Sequence, residues 1–218
     1  MKKLPFYLAA MLLCFTACNK EVKTETTVTD GNGTATEAVT TTELSKPVDQ
    51  ATMQKAWQAY MTPGEMHKKM AEDVGTWDDE LTYWMSPDDK NPTKSKSTST
   101  ITMMLNGLYQ QSVTKGTAMG QPFEGINTLA YDNAAEEYVS TWVDNMGSGI
   151  AVTRGKYDPA IKGINFKGEM MDPVTKKPKK IRQTKEIIDA NTQKMEMYDT
   201  TADGKEYKCM EVLSKRKK

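Results

Sequence analysis

One histidine, three cysteines and no long apolar run among 218 residues remove several function classes at once. Zinc sites draw on several His or Cys ligands, and the chain has too few to build one. The single histidine, His67, stands among lysines with no nucleophile at a catalytic spacing, so Ser–His–Asp and Cys–His chemistry have no visible constellation. A surface or capping role is the expectation for it. No glycine-rich loop of the phosphate-cradling kind occurs. Lysine plus arginine equals aspartate plus glutamate at 29 each, so no basic face drives nucleic-acid binding. The short basic cluster Lys215-Arg216-Lys217-Lys218 reads as a solvated chain end. These deficits predict a protein that is not an enzyme and carries neither metal nor cofactor.

The longest apolar run, Leu4 to Phe15, follows Lys2 and Lys3 and ends at Thr16-Ala17-Cys18. A charged start, a short apolar stretch and small residues before a cut site describe an export signal. The run is roughly a dozen residues, whereas a spanning helix needs about 20. Thr16-Ala17-Cys18 resembles the lipobox of bacterial lipoproteins, with Phe15 where Leu is usual; an ordinary secretory signal is the alternative. Residues 1–17 are therefore expected to be removed and Cys18 to carry lipid. Each buried methylene stabilises membrane attachment by about 0.8 kcal/mol, so several acyl chains hold a small domain to the bilayer. Asn19, in place of Asp, points by similarity to lipoprotein sorting to a cell-envelope location at the outer membrane of a Gram-negative bacterium. With Cys18 acylated and Cys14 removed, Cys209 has no disulfide partner and reads as a small buried hydrophobe.

Residues 18–48 are rich in Thr with few large apolar side chains, a composition that cannot offset its ordering entropy. They read as a disordered tether. A folded domain spans residues 49–218. Met53, Ala56, Trp57, Tyr60 and Met61 recur at helical spacing and are expected to pack as core. Thr62-Pro63-Gly64-Glu65 predicts a second short helix capped by Thr62, with Met66, Met70 and Val74 on one face. Beyond Gly75 the period becomes two, with candidate strands at 76–85, 97–105, 108–114, 124–131, 137–143, 150–157, 161–168, 181–188, 194–199 and 206–214. Asn106-Gly107 and Asp203-Gly204 are expected as two-residue hairpin turns, and Asp132 and Asp144 as turn formers. A sheet of about ten strands with short connections avoids sticky edges by closing. The expected fold is mainly β: an antiparallel up-and-down barrel preceded by two short helices.

The passage Glu65-Met66-His67 to Val74-Gly75-Thr76-Trp77 is a helix running into Gly-x-Trp on the first strand, and it resembles the opening of lipocalins and other calycin barrels. In those, the Trp packs across one barrel end beneath a late basic residue, which implies a closing pair of Trp77 and Arg216. The run from Gly120 to Gly125, then Tyr131-Asp132 and Tyr138 to Asp144, resembles the bacterial family of unknown function DUF1579. That resemblance implies a calycin-like barrel and brings no activity.

Alternation assigns Trp77, Leu81, Tyr83, Met103, Tyr138, Trp142, Met195 and Met197 as candidate ligand-lining residues. The same alternation turns Asp79 inward, where a buried carboxylate needs a partner; Arg154 and Arg182 are the candidates. The expected function is binding of a small hydrophobic or amphipathic ligand, with the membrane, through Cys18, as the other partner. The alternative is a structural or interaction lipoprotein with a solid core, in which outward aromatics such as Trp84 form a patch.

Overall fold

The structure is a computed structural model that describes residues 48–201 and 203–218. The expected signal, Cys18 and all but the last residue of the expected tether lie outside the described residues. Pro47–Lys218 forms one compact unit.

Two helices, α1 (Gln50–Tyr60) and α2 (Glu65–Ala71), precede ten strands. These are β1 (Gly75–Tyr83), β2 (Thr93–Met104), β3 (Tyr109–Ala118), β4 (Gln121–Asp132) and β5 (Glu137–Asp144). The second half is β6 (Ala151–Asp158), β7 (Gly163–Met171), β8 (Pro178–Asp189), β9 (Thr192–Thr200) and β10 (Glu206–Arg216). Each strand pairs antiparallel with the next, and β1 pairs with β10 from Trp77↔Arg216 to Tyr83↔Met210. The fold is thus a closed antiparallel up-and-down barrel in which every strand has two partners.

Most strands run a few residues longer than their apolar alternation indicates. β2 begins at Thr93 because Thr93-Lys94-Ser95-Lys96 pairs with Leu81–Tyr83 and its surroundings despite carrying no apolar residue. Backbone pairing continues where the side chains have no core to reach. The hairpin turns also differ from expectation. β2 and β3 are joined by a four-residue loop in which Leu105, Asn106 and Gly107 all take positive φ, and β9 and β10 by a five-residue loop closed by Thr201 N–H to the Lys205 carbonyl at 2.9 Å. Elsewhere a single device recurs: Asp132, Asp144, Asp158, Asp172 and Asp189 each accept the amide N–H two residues ahead. These carboxylates fold the chain back on itself through Asx geometry.

α2 closes one end of the barrel. Its N-cap is Gly64 instead of Thr62, and His67 Nδ1 accepts the Gly64 N–H at 3.0 Å. His67 is only 2% exposed, with its ring edge-on to Tyr131, so it is a buried capping residue and not a surface one. Met70 leads the core cluster with Leu129, Tyr138, Ile164 and Phe166, against which Met66, Met103 and Tyr131 pack. The apolar core therefore sits at the α2 end of the barrel.

α1 departs from expectation. Asp49 caps it by accepting the Thr52 N–H at 3.0 Å, yet the helix buries no residue. Met53 and Trp57, expected in the core, are 49% and 57% exposed. The core needs only α2 as a plug, which leaves α1 nothing to pack against.

Sharp strand bends admit no side chain at some inward positions. Gly168 on β7 faces Val152 and Thr153 of β6 so closely that a Cβ would overlap the Val152 carbonyl oxygen. Because backbone cannot yield cheaply there, Gly168→Ala is expected to lower stability by about 1–3 kcal/mol. Urea unfolding of the variant checks this, and an unchanged midpoint would show that the strand has slack.

Candidate ligand-binding site

The register fixes which residues share the interior. Trp77, Asp79, Leu81 and Tyr83 on β1 stand opposite Ser99, Ser97, Ser95 and Thr93, and opposite Arg216, Ser214, Val212 and Met210. Carrying that alternation around the barrel brings Met103, Tyr138, Trp142, Met195 and Met197 to the same inner surface. It also shows why neither arginine reaches Asp79. Arg154 and Arg182 occupy alternate positions to the inward Thr153 and Gln183, so they point out. Arg154 pairs with Glu137 at 2.8 Å, while Arg182 holds Glu206 at 2.6 Å and lies 3.6 Å over the Tyr198 ring.

Asp79, 4% exposed, is held by hydroxyls. Its Oδ1 accepts from Ser214 Oγ at 2.6 Å, and Oδ2 accepts from Ser99 Oγ at 2.5 Å and Ser97 Oγ at 3.2 Å. Ser99 in turn contacts Thr114 Oγ1 at 2.8 Å. Neutral donors satisfy a carboxylate geometrically but supply no counter-charge. Burial accordingly pushes Asp79 above its ordinary value, and Ser214, Ser99 and Ser97 pull it only part of the way back.

A cavity of about 710 Å³ lies beside α2, between the β6–β7 and β8–β9 turns. Its buried floor is Met70, Trp77, Leu129, Tyr138 and Ile164, with half-buried Ile187 on the wall. Lys69, Lys162, Lys185 and Arg216 stand around it with Glu72, Asp73 and Asp189. Three of these cations are engaged, Lys69 with Glu65 at 3.9 Å among them. Lys185 Nζ meets Asp73 Oδ2 at 2.5 Å, and Gln193 Nε2 donates to the other Asp73 oxygen at 3.1 Å. Arg216 lies 4.3 Å over the Trp77 ring and donates to the carbonyls of Glu72, Val74 and Ala190. Trp77 Nε1 donates to the Asp73 carbonyl at 2.8 Å. The carbonyls of the segment that leaves α2, from Glu72 to Val74, are thereby satisfied by side chains from the barrel. Lys69 lies 4.5 Å over the Tyr157 ring, and Lys162 is exposed. The site thus combines an apolar floor with a charged mouth, an arrangement that suits a molecule with one greasy and one polar end.

Of the eight residues assigned to ligand lining from alternation, Trp77 and Tyr138 reach this cavity. Leu81, Tyr83, Met103, Trp142, Met195 and Met197 share the interior but stand away from it. Trp142 lies over Gly125, stacks on Phe123 at 6.2 Å and donates to Asp144 Oδ2 at 2.7 Å. The floor residues Leu129 and Ile164 and the wall residues Lys185 and Ile187 were not assigned from sequence. Alternation within their own strands marks them as inward, but nothing local says which end of the barrel α2 leaves open. Trp84, assigned to an outward patch, is half-buried beneath Lys208 Nζ at 5.0 Å from its ring.

Two outcomes follow from the interior groups. An acid raised in the folded state contributes stability below its unfolded value of about 4 and loses it as pH rises through the folded value. Asp79→Asn lacks that loss, so its stability relative to the natural protein should climb between pH 4 and pH 7; a pH-independent difference in urea unfolding would contradict the assignment. Cys209, half-buried with its thiol 3.4 Å from the Met197 carbonyl, is pushed up to about 11, chiefly by burial. It should react slowly with thiol reagents at pH 8 until the protein is unfolded, as followed by mass spectrometry.

A family model described as a protein of unknown function, DUF1579, matches residues 62–216. No curated protein matches the sequence. Among solved structures, Rv2717c from M. tuberculosis aligns with a TM-score of 0.55 at 10% identity, covering 72% of this chain and 100% of that one. The S-type phycobiliprotein lyase CPES from Guillardia theta aligns with a TM-score of 0.50 at 10% identity, covering 70% of this chain and 93% of its own. At such identity these likenesses speak for the barrel alone. The family match spans all ten strands and α2, and the chain belongs to the DUF1579 family.

Proposed function

We propose that this protein is an envelope lipoprotein, acylated at Cys18, whose barrel binds one small amphipathic molecule without transforming it. The observation that carries the reading is the cavity beside α2. Its volume, about 710 Å³, falls within the range of roughly 300–1,000 Å³ typical of small-molecule sites. Trp77, Leu129, Tyr138 and Ile164 offer the guest's apolar body a dry surface, while Lys69 and Lys162 stand at the mouth for its polar end.

Native mass spectrometry of the protein purified from its own host tests both parts. The mature chain should carry the mass of acyl groups on Cys18, and the folded protein a further small molecule in one-to-one ratio. Ile187→Trp, which fills the cavity from its half-buried wall, should remove the small molecule and weaken binding of a fluorescent fatty-acid probe at least tenfold. A folded protein without added mass, together with probe binding indifferent to Ile187→Trp, would sink the ligand reading. An unmodified Cys18 would sink the lipoprotein reading by itself.

A further inference from the structure

The helix α1 presents an apolar stripe that no part of the described structure covers. Met53, Trp57, Tyr60 and Met61 are 49%, 57%, 43% and 55% exposed. The end of the helix nevertheless contacts the barrel. The Asn133 side chain, in the β4–β5 turn, donates to the carbonyls of Ala59, Tyr60 and Thr62 at 3.2, 3.2 and 3.0 Å. In an up-and-down barrel the β4–β5, β6–β7 and β8–β9 turns share one end, and that end carries both α2 and the cavity. An apolar stripe therefore flanks the end of the barrel where the ligand site opens.

The chemistry of the stripe identifies its partner. Trp57 and Tyr60 meet edge to face at 5.9 Å, and these two ring types concentrate where a bilayer's headgroups meet its acyl chains. Between Gln50 and Tyr60 the helix carries one charged residue, Lys55, and its nearest carboxylate is the Asp49 cap at the start, engaged by Thr52, so the charge along the stripe itself does not oppose an anionic lipid surface. Gln54 and Gln58 border the stripe, and Thr52 and Lys55 stand on the side of the helix away from it, so the apolar residues form one edge of a short amphipathic helix. Chain length adds an independent argument. Gln50 is 32 residues after Cys18 (50 − 18), so whatever the intervening conformation, covalent geometry keeps α1 within about 110 Å of a lipid on that cysteine. Confinement to such a volume corresponds to an effective concentration on the order of a millimolar, enough to engage a weak interfacial helix.

We propose that α1 lies on the lipid surface, with Met53, Trp57, Tyr60 and Met61 at the headgroup–acyl boundary, and turns the cavity end of the barrel toward the bilayer. The tether argument rests on the acylation proposed above. The stripe and its placement do not. With this orientation a membrane-resident amphiphile passes between bilayer and cavity without crossing bulk water.

The experiment supplies the tether artificially, so that its outcome is separate from acylation. The mature chain, with a histidine tag at its amino terminus, is held on vesicles of phosphatidylcholine, phosphatidylglycerol and a nickel-chelating lipid. Tryptophan emission is then compared with and without brominated lipid. Trp57 is one of four tryptophans, and Trp77 and Trp142 lie inside the barrel, so the natural protein should lose a fraction of its emission that Trp57→Phe does not lose. Equal quenching in the two proteins, or none in either, overturns the proposal. Sedimentation without vesicles covers the rival occupant: a dimer that Trp57→Glu dissolves would make the stripe a self-interface and equally overturn it. Because α1 lies outside the core, Trp57→Glu should leave the unfolding midpoint unchanged. Ile187→Trp should lose the small molecule yet still show more quenching than the double variant Ile187→Trp with Trp57→Phe, which separates failure of the ligand site from failure of the membrane contact.

Discussion

The pairing of β1 with β10 is the constraint on which the remaining structure depends. Seven residue pairs, from Trp77↔Arg216 to Tyr83↔Met210, join the first strand to the last and leave the sheet without an edge. Closure then dictates the interior, because each strand contributes every second residue to a space that no neighbouring sheet can share. Asp79 is buried for this reason alone. It stands between Trp77 and Leu81 on the closing strand, and the register delivers Ser97, Ser99 and Ser214 from both flanking strands to meet it. The same pairing sets Arg216 over Trp77, from where its guanidinium reaches the Glu72 and Val74 carbonyls in the segment that joins α2 to β1. Barrel closure and helix docking are thus coupled through one side chain.

That coupling divides the interior into two unlike halves. Near α2 the contacts are apolar and close, among Met70, Leu129, Tyr138, Ile164 and Phe166. Away from α2 the inward positions mix Leu81, Trp142, Met195 and Met197 with Ser95, Asn127 and the ion pair of Lys179 with Asp199 at 2.6 Å, and Ser140 and Gln183 already stand beside Leu129 and Phe166. The buried apolar side chains cluster where α2 completes a core. The cavity lies where that completion stops: α2 packs over β3 and β4, and the side bounded by the β6–β7 and β8–β9 turns is left uncovered.

Much of this was legible because period-two alternation and turn chemistry are local signals. All ten strands, the Asx turns at Asp132 and Asp144, the inward course of Asp79 and the Trp77–Arg216 juxtaposition follow from residues a few positions apart or from family resemblance. What was not legible depends on which surface meets which. Arg154 and Arg182 looked suitable for Asp79 by charge, yet the parity of their own strands turns them outward, and parity applied to each strand separately would have excluded them. The cap of α2 was placed at Thr62 because the residue pattern fits a capping box. The observed cap uses the His67 imidazole, whose burial among core side chains no local pattern reveals. The cavity depends on the seat of α2, a tertiary fact without a sequence signature.

α1 shows the limit of periodicity most clearly. Helical spacing of Met53, Trp57, Tyr60 and Met61 states that one face is apolar, and it is silent on what covers that face. Within a closed barrel already plugged by α2, a second amphipathic helix has no core left to join, so its apolar face must turn away from the fold. The Asn133 contacts then matter more than their number suggests. They join the last turn of the helix to the β4–β5 turn, and so give the apolar stripe a definite side of the barrel relative to the cavity. A stripe that moved independently could attach the protein to something, but only one with a definite side can decide which end of the barrel approaches it.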